Sequence, residues 1–144
     1  MSTGTLRGTY VQRDYKTLSQ HTDAEINDKA TRITLHNFNY PDGWHPGAGD
    51  LLLRYPDRYP RMQPRVLVPR TMTYDGRVLH YLKADESLRD SWRVWCTHYI
   101  DWQAWYKSAT RKDRLPVMDF LGLIRESLQY PGKSDPINHA QRKR

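Results

Sequence analysis

The 144-residue sequence has one cysteine, Cys96, and only two phenylalanines. A single thiol cannot close an internal disulfide, which excludes a stapled secreted scaffold, and it cannot supply a multi-cysteine zinc module. No apolar run approaches the roughly 20 residues that a membrane helix needs, so no membrane association is expected. Met1–Gly8 carries no apolar signal-peptide core, and the expected compartment is the cytoplasm. The histidines (His21, His36, His45, His80, His98, His139) lack the short paired spacings of a metal site. The glycine-containing loops lack the Lys-Ser/Thr of a phosphate cradle. Neither metal nor cofactor is therefore expected. Internal repeats and low-complexity stretches are absent as well.

What the chain does have is aromatic: 5 Trp and 10 Tyr, within 38% hydrophobic residues overall. That composition argues against disorder and suits one ordinary domain with its own core. Lys and Arg number 23 against 16 Asp and Glu, for a net charge of +7. Such a balance draws acidic partners. Yet Lys133, Arg142, Lys143 and Arg144 cluster in the tail, and Arg58, Arg61, Arg65 and Arg70 are interleaved with Asp50 and Asp57. The charge reads as a solvated surface plus a basic tail, and nucleic acid is not an expected partner.

Periodicity divides the chain into a helix, a run of strands and a second helix. Leu6, Tyr10, Val11, Tyr15 and Leu18 fall at helical spacings and predict a helix over Leu6–Ser19, weakened at its start by Gly4 and Gly8. Arg32–His36 alternates with period two and reads as a strand. Asn39–Gly43 is turn chemistry, with Gly43 free to take positive φ. A second strand, Asp50–Tyr55, makes a plausible hairpin with the first. Pro64 and Pro69 bound a third, Arg65–Val68. After the Thr73–Gly76 turn, Val78–Leu82 is expected as a fourth. Trp92–Cys96 and the following tryptophans, Trp102 and Trp105, read as an irregular aromatic segment. Val117, Phe120, Leu121, Ile124 and Leu128 then mark one face of a helix that Pro131-Gly132 stops. The expected class is α+β, with helices on one sheet face. A domain is expected over residues 1–132, followed by a mobile basic tail, 133–144.

One motif is more specific. Tyr55-Pro56-Asp57-Arg58-Tyr59-Pro60, continued by Pro64 and Val66, resembles the Phe-Pro-x-x-Tyr-Pro-x-x-Pro-Pro-x-Val signature of ubiquitin-conjugating enzymes, with Gln63 in place of the first paired proline. Arg13-Asp14-Tyr15-Lys16-Thr17-Leu18 is similar to the end of that family's first helix. Gly47-Ala48-Gly49 resembles its hairpin turn. Cys96, Trp102, the long helix and Asp135-Pro136-Ile137-Asn138 follow the order of its C-terminal half. The resemblance spans roughly residues 5–138. It implies an N-terminal helix, a four-stranded antiparallel meander and C-terminal helices. It also implies a conjugating activity whose partners are an activating enzyme, a ubiquitin-like modifier and an acceptor protein. Arg7, Arg13 and Lys16 would then face the activating enzyme.

The sequence departs from the family at one functional point. The usual His-Pro-Asn is missing, and no asparagine occurs between Asn39 and Asn138. His80 stands sixteen residues before Cys96 and is followed by Tyr81. That pattern resembles divergent bacterial members, found in operons with an activating enzyme, a modifier and a deconjugating peptidase and serving defence against phage.

A lone cysteine suits acyl carriage, which needs one nucleophilic sulfur whose pKa follows local charge. Arg93 upstream and His98 downstream supply nearby cations. If the stretch is extended, positions two apart share a face about 6.6 Å apart, which would put His98 beside the sulfur. His98, or else His80, is then the candidate base or oxyanion donor in place of the missing asparagine. Cys96, His98 and His80 are the candidate catalytic residues. The alternative is the same fold with a silent cysteine, acting as a binding or scaffold module.

Overall fold

The computed structural model describes residues 5–78, 91–95, 102 and 117–130. Helix α1 spans Thr5–Ser19. Strands follow in chain order: β1 (Asp23–Ile26), β2 (Arg32–Asn39), β3 (Trp44–His45), β4 (Ala48–Arg54), β5 (Arg65–Pro69), β6 (Thr73–Tyr74), β7 (Arg77–Val78) and β8 (Trp92–Trp95). Helix α2 covers Val117–Ser127. The architecture is mixed α+β, as the periodicity predicts.

The main sheet is antiparallel and has five described strands in the order β1-β2-β4-β5-β8. The expected meander of four is therefore one strand short and differs in membership. Its middle, β2-β4-β5, lies where alternation and bounding prolines place it. The outer strands differ. Asp23–Ile26 pairs with β2, although two of its four residues are acidic. Trp92–Trp95, expected to be irregular, pairs with β5 through Val66↔Trp95 and Val68↔Arg93.

Val78, the one described residue of the expected fourth strand, does not join this sheet. Arg77–Val78 instead forms a hairpin with β6, which pairs with β3 in a separate three-stranded sheet. Asp75 and Gly76 make its two-residue turn with φ of 50° and 77°, the conformation that matches the twist of hairpin strands. Residues 79–82 of that expectation, and the tail 133–144, lie outside the described residues. Gly43 does take positive φ, 99°, and a Cβ there would stand 2.6 Å from the Tyr74 ring. Only glycine lets the 41–44 turn approach this hairpin so closely.

The core lies on one face of the main sheet. Ile33 and Leu35, Leu51 and Leu53, Val66 and Val68, and Trp95 alternate inward from four strands. Val11 and Leu18 of α1 and Phe120, Leu121 and Ile124 of α2 complete the same cluster. Both helices thus share one sheet face, as expected for the class. The far end of α2 is held by two indoles. Trp44 Nε1 donates to Leu128 O at 2.6 Å, and Trp95 Nε1 donates to Ser127 Oγ at 2.9 Å. The Trp44 bond satisfies a carbonyl just beyond the last helical residue, where helix carbonyls need partners from outside the helix.

Trp95→Phe exchanges the buried indole for a smaller phenyl ring, which deletes the donor to a buried hydroxyl and leaves a small cavity. We expect a loss of about 2 kcal/mol, read as a lower urea midpoint with an unchanged slope.

Candidate functional site

Helix α1 turns an unusual stripe inward. At 100° per residue, Arg7, Val11, Asp14 and Leu18 lie on one line, and two of those four positions are charged. Val11 and Leu18 enter the core. Asp14 is only 2% exposed. Its carboxylate accepts hydrogen bonds from the hydroxyls of Tyr55, at 3.3 Å, and Tyr59. The two rings meet edge to face at 4.5 Å. Arg7, at the start of the stripe, donates from Nη1 to Asp57 Oδ1 at 2.6 Å, and reaches Tyr55 O at 3.5 Å.

The Tyr55–Pro60 motif is thus fastened to α1 twice. It is also fastened to the other side of the molecule. Tyr59 lies 6.0 Å from the Trp102 ring, whose Nε1 donates to Pro60 O at 2.7 Å. Trp102 packs edge to face on Phe120 of α2 at 5.7 Å. Each proline-flanked tyrosine acts as an anchor, with its ring in the core and its hydroxyl on one buried carboxyl.

Burial is the main influence on Asp14 and pushes its pKa up to about 7, against the opposing effects of the Tyr59 and Tyr55 hydroxyls and of Arg13. Burial first, and then the Asp14 charge, hold both tyrosines well above the ordinary phenol range, so they stay neutral donors.

The three expected partner-facing residues of α1 do not share one side. Arg7 is turned into the Tyr55–Asp57 contact. Arg13 and Lys16, three apart, share another face. The Arg13 guanidinium stands over the Tyr10 ring at 5.3 Å, and Lys16 is exposed. Cys96, His98 and His80 lie outside the described residues. What is described is the ground on either side of the cysteine. Strand β8 ends at Trp95, 1% exposed, and Trp102 is 6% exposed. Both indoles donate to defined acceptors, so the stretch containing Cys96 starts and finishes at fixed points. Arg93 pairs with Val68 and shares the sheet face of Trp95.

A second polar cluster joins β1, β2 and β4. His36 Nε2 lies 2.8 Å from Glu25 Oε1 and Nδ1 lies 3.0 Å from Asp50 Oδ1. Glu25 and then Asp50 raise the His36 pKa above its ordinary value. It sits within a strand irregularity between Leu35 and Phe38, where Asn37 adopts φ of 56°. Among the described residues, no group of three or more His, Cys, Asp or Glu is arranged to hold a metal ion. No described helix is long and apolar enough to cross a membrane.

Comparison with protein-family models, curated proteins and solved structures returns no match to this chain.

Sequence reasoning missed Asp14 as a structural centre. Its signal was present: an acid at i+7 from Arg7 and i+3 from Val11, on the line of the apolar positions. Replacing it tests the arrangement. A carboxyl that titrates above its unfolded value binds more protons folded than unfolded between about pH 4 and 7, so it lowers stability as pH rises across that window. Asp14→Asn removes this dependence. Relative to the parent, its stability should improve by roughly 2–3 kcal/mol between pH 5 and pH 8, measured by urea unfolding at both values. Tyr59→Phe should do the reverse, losing more stability at pH 8 than at pH 5, because the ionised carboxyl loses a donor.

Proposed function

We propose that this chain is a conjugating enzyme that carries a ubiquitin-like modifier as a thioester on Cys96. The observation that carries the reading is the Tyr55–Pro60 motif. Its residues resemble the family signature in register, and they tie α1, Trp102 and α2 together. A motif whose every anchor is engaged is more than a chance proline-tyrosine loop. Two further features support the reading. Cys96 directly follows an outer sheet strand, and the tryptophans on either side of its stretch are fixed by hydrogen bonds.

In the first step, the Cys96 thiolate attacks the carbonyl carbon of the modifier's C-terminal thioester on the activating enzyme. A new S–C bond forms and the activating enzyme's thiolate departs. In the second, an amine of the acceptor attacks the same carbon, an amide bond forms and the Cys96 thiolate leaves. The amine's proton passes to a base. His98 or His80 is the proposed base or oxyanion donor, because the family's asparagine has no counterpart here.

That same missing asparagine favours a second reading, a silent member of the fold that binds a modifier or its partners without carrying it. One assay separates the two. The chain is incubated with activating enzyme, modifier and ATP, then run with and without reductant. A thiol-sensitive adduct is expected, lost in Cys96→Ala and replaced by a thiol-resistant ester in Cys96→Ser. An adduct that stays thiol-sensitive in Cys96→Ser rejects the carrier role. Retained modifier binding without any adduct selects the scaffold.

A further inference from the structure

One imidazole on the outer face of the main sheet is shared by three strands. Between Leu35↔Leu51 and Phe38↔Gly49, two residues of β2, His36 and Asn37, stand against the single Asp50 of β4. Such a bulge re-aims a side chain, and His36 turns one ring nitrogen to each neighbouring strand. Its Nδ1 lies 3.0 Å from Asp50 Oδ1, and its Nε2 lies 2.8 Å from Glu25 Oε1 of β1. Asp23, also of β1, is the register partner of His36. Among the described residues, three acids from two strands thus flank one ring. Arg32 of β2 and Arg54 of β4, on the same face, are four residues from His36 and Asp50, about 13–14 Å along the strands.

A carboxylate only accepts hydrogen bonds, so each ring nitrogen must carry a proton for both bonds to form. The imidazolium has two such protons. A neutral ring keeps one N–H and points a lone pair at the other carboxylate. The Asp50 side chain is 44% exposed and that of Glu25 is 71% exposed. Water replaces the partner of the more exposed acid at less cost, so the bond that fails is the one to Glu25. Strand β1 then keeps its ladder to β2 and the packing of Ala24 and Ile26 on the core. It also faces Asp50 with its own two acids and no cation between. Four residues long, β1 is an outer strand among the described residues, and such a strand opens locally at low cost.

We propose that protonated His36 is a clasp that holds β1 against the sheet, and that deprotonation frees this strand to open locally while β2, β4 and β5 stay closed. Glu25 and then Asp50 raise the pKa of His36 above its ordinary value. An imidazole whose pKa folding raises adds stability that is whole below about pH 6.5 and is lost as pH rises through the folded value. The clasp therefore closes on acidification. It does not depend on acyl transfer at Cys96.

NMR on the full chain is the test. The His36 ring resonances, assigned by through-bond correlation to its backbone, should titrate with a midpoint above about pH 6.5. Between pH 5.5 and pH 8.5, hydrogen-exchange protection of the β1 amides, corrected for the intrinsic rate at each pH, should fall. The fall should be at least twofold greater in the parent than in His36→Gln. Asp14 titrates in both chains and cancels from that comparison. The amides of Leu51 and Leu53 should show no such difference. Glu25→Gln, at an exposed position, should lower the His36 midpoint by at least half a pH unit and abolish the excess loss. It carries the test by itself if His36→Gln does not fold. A parent midpoint at or below about pH 6.5, equal loss of β1 protection in parent and variant, or a midpoint unmoved by Glu25→Gln overturns the proposal. So does a difference of equal size at Leu51 and Leu53, which assigns the effect to global unfolding.

Discussion

A carboxyl group sealed inside a protein dictates its surroundings, and Asp14 does so here. An ionised carboxylate without partners is among the costliest groups to bury. It persists only where hydroxyls meet it or where it holds a proton. Two tyrosines meet it, and each must arrive from the same short loop with its ring packed and its oxygen turned towards α1. That requirement fixes the loop. The loop then fixes Trp102 through the Pro60 carbonyl, and Trp102 packs on Phe120. One polar contact thereby sets the relation between the first helix, the proline-rich loop and the last described helix.

Indole donors repeat the principle at lower stakes. Trp44, Trp95 and Trp102 are all buried, and each directs its N–H to an oxygen of another element. A domain with two phenylalanines fills its interior with tyrosine and tryptophan instead. Every such ring brings a polar atom that must be satisfied. The result is a core whose packing is directional, since a ring turned the wrong way leaves an orphaned donor. The His36 bridge plays a comparable part outside, pinning three strands by an imidazole whose pKa the Glu25 and Asp50 carboxylates raise.

Legibility from sequence followed the strength of the local signal. The helices were readable because Val11 and Leu18, and later Phe120, Leu121 and Ile124, repeat at helical spacing. The central strands were readable from alternation and from Pro64 and Pro69. The outer strands were not. Asp23–Ile26 carries two acids in four residues, and a strand paired on one side needs little apolar character. Trp92–Trp95 does alternate, but four residues set among other tryptophans look like any aromatic loop. Val78 was expected to open a strand running to Leu82, yet no local pattern tells which of two sheets a two-residue strand such as Arg77–Val78 will join. The site divides likewise. The Tyr55–Pro60 motif stood out by its spacing, while its buried partner Asp14 did not, because an acid on a helix is ordinarily solvated. Arg7 was noted for its charge, and only the fold reveals that it is turned to the loop, bonding the exposed Asp57. Cys96, His98 and His80 were nominated from sequence and lie outside the described residues.

The placement of Trp95 and Trp102 also gives α2 two distant listeners. Trp95 meets the helix at Ser127 through its indole N–H, and Trp102 meets it at Phe120 through its ring. Ser127 and Phe120 stand two turns apart on α2. A shift of that helix along its axis is therefore transmitted at once to strand β8 and to the Pro60 carbonyl that Trp102 holds.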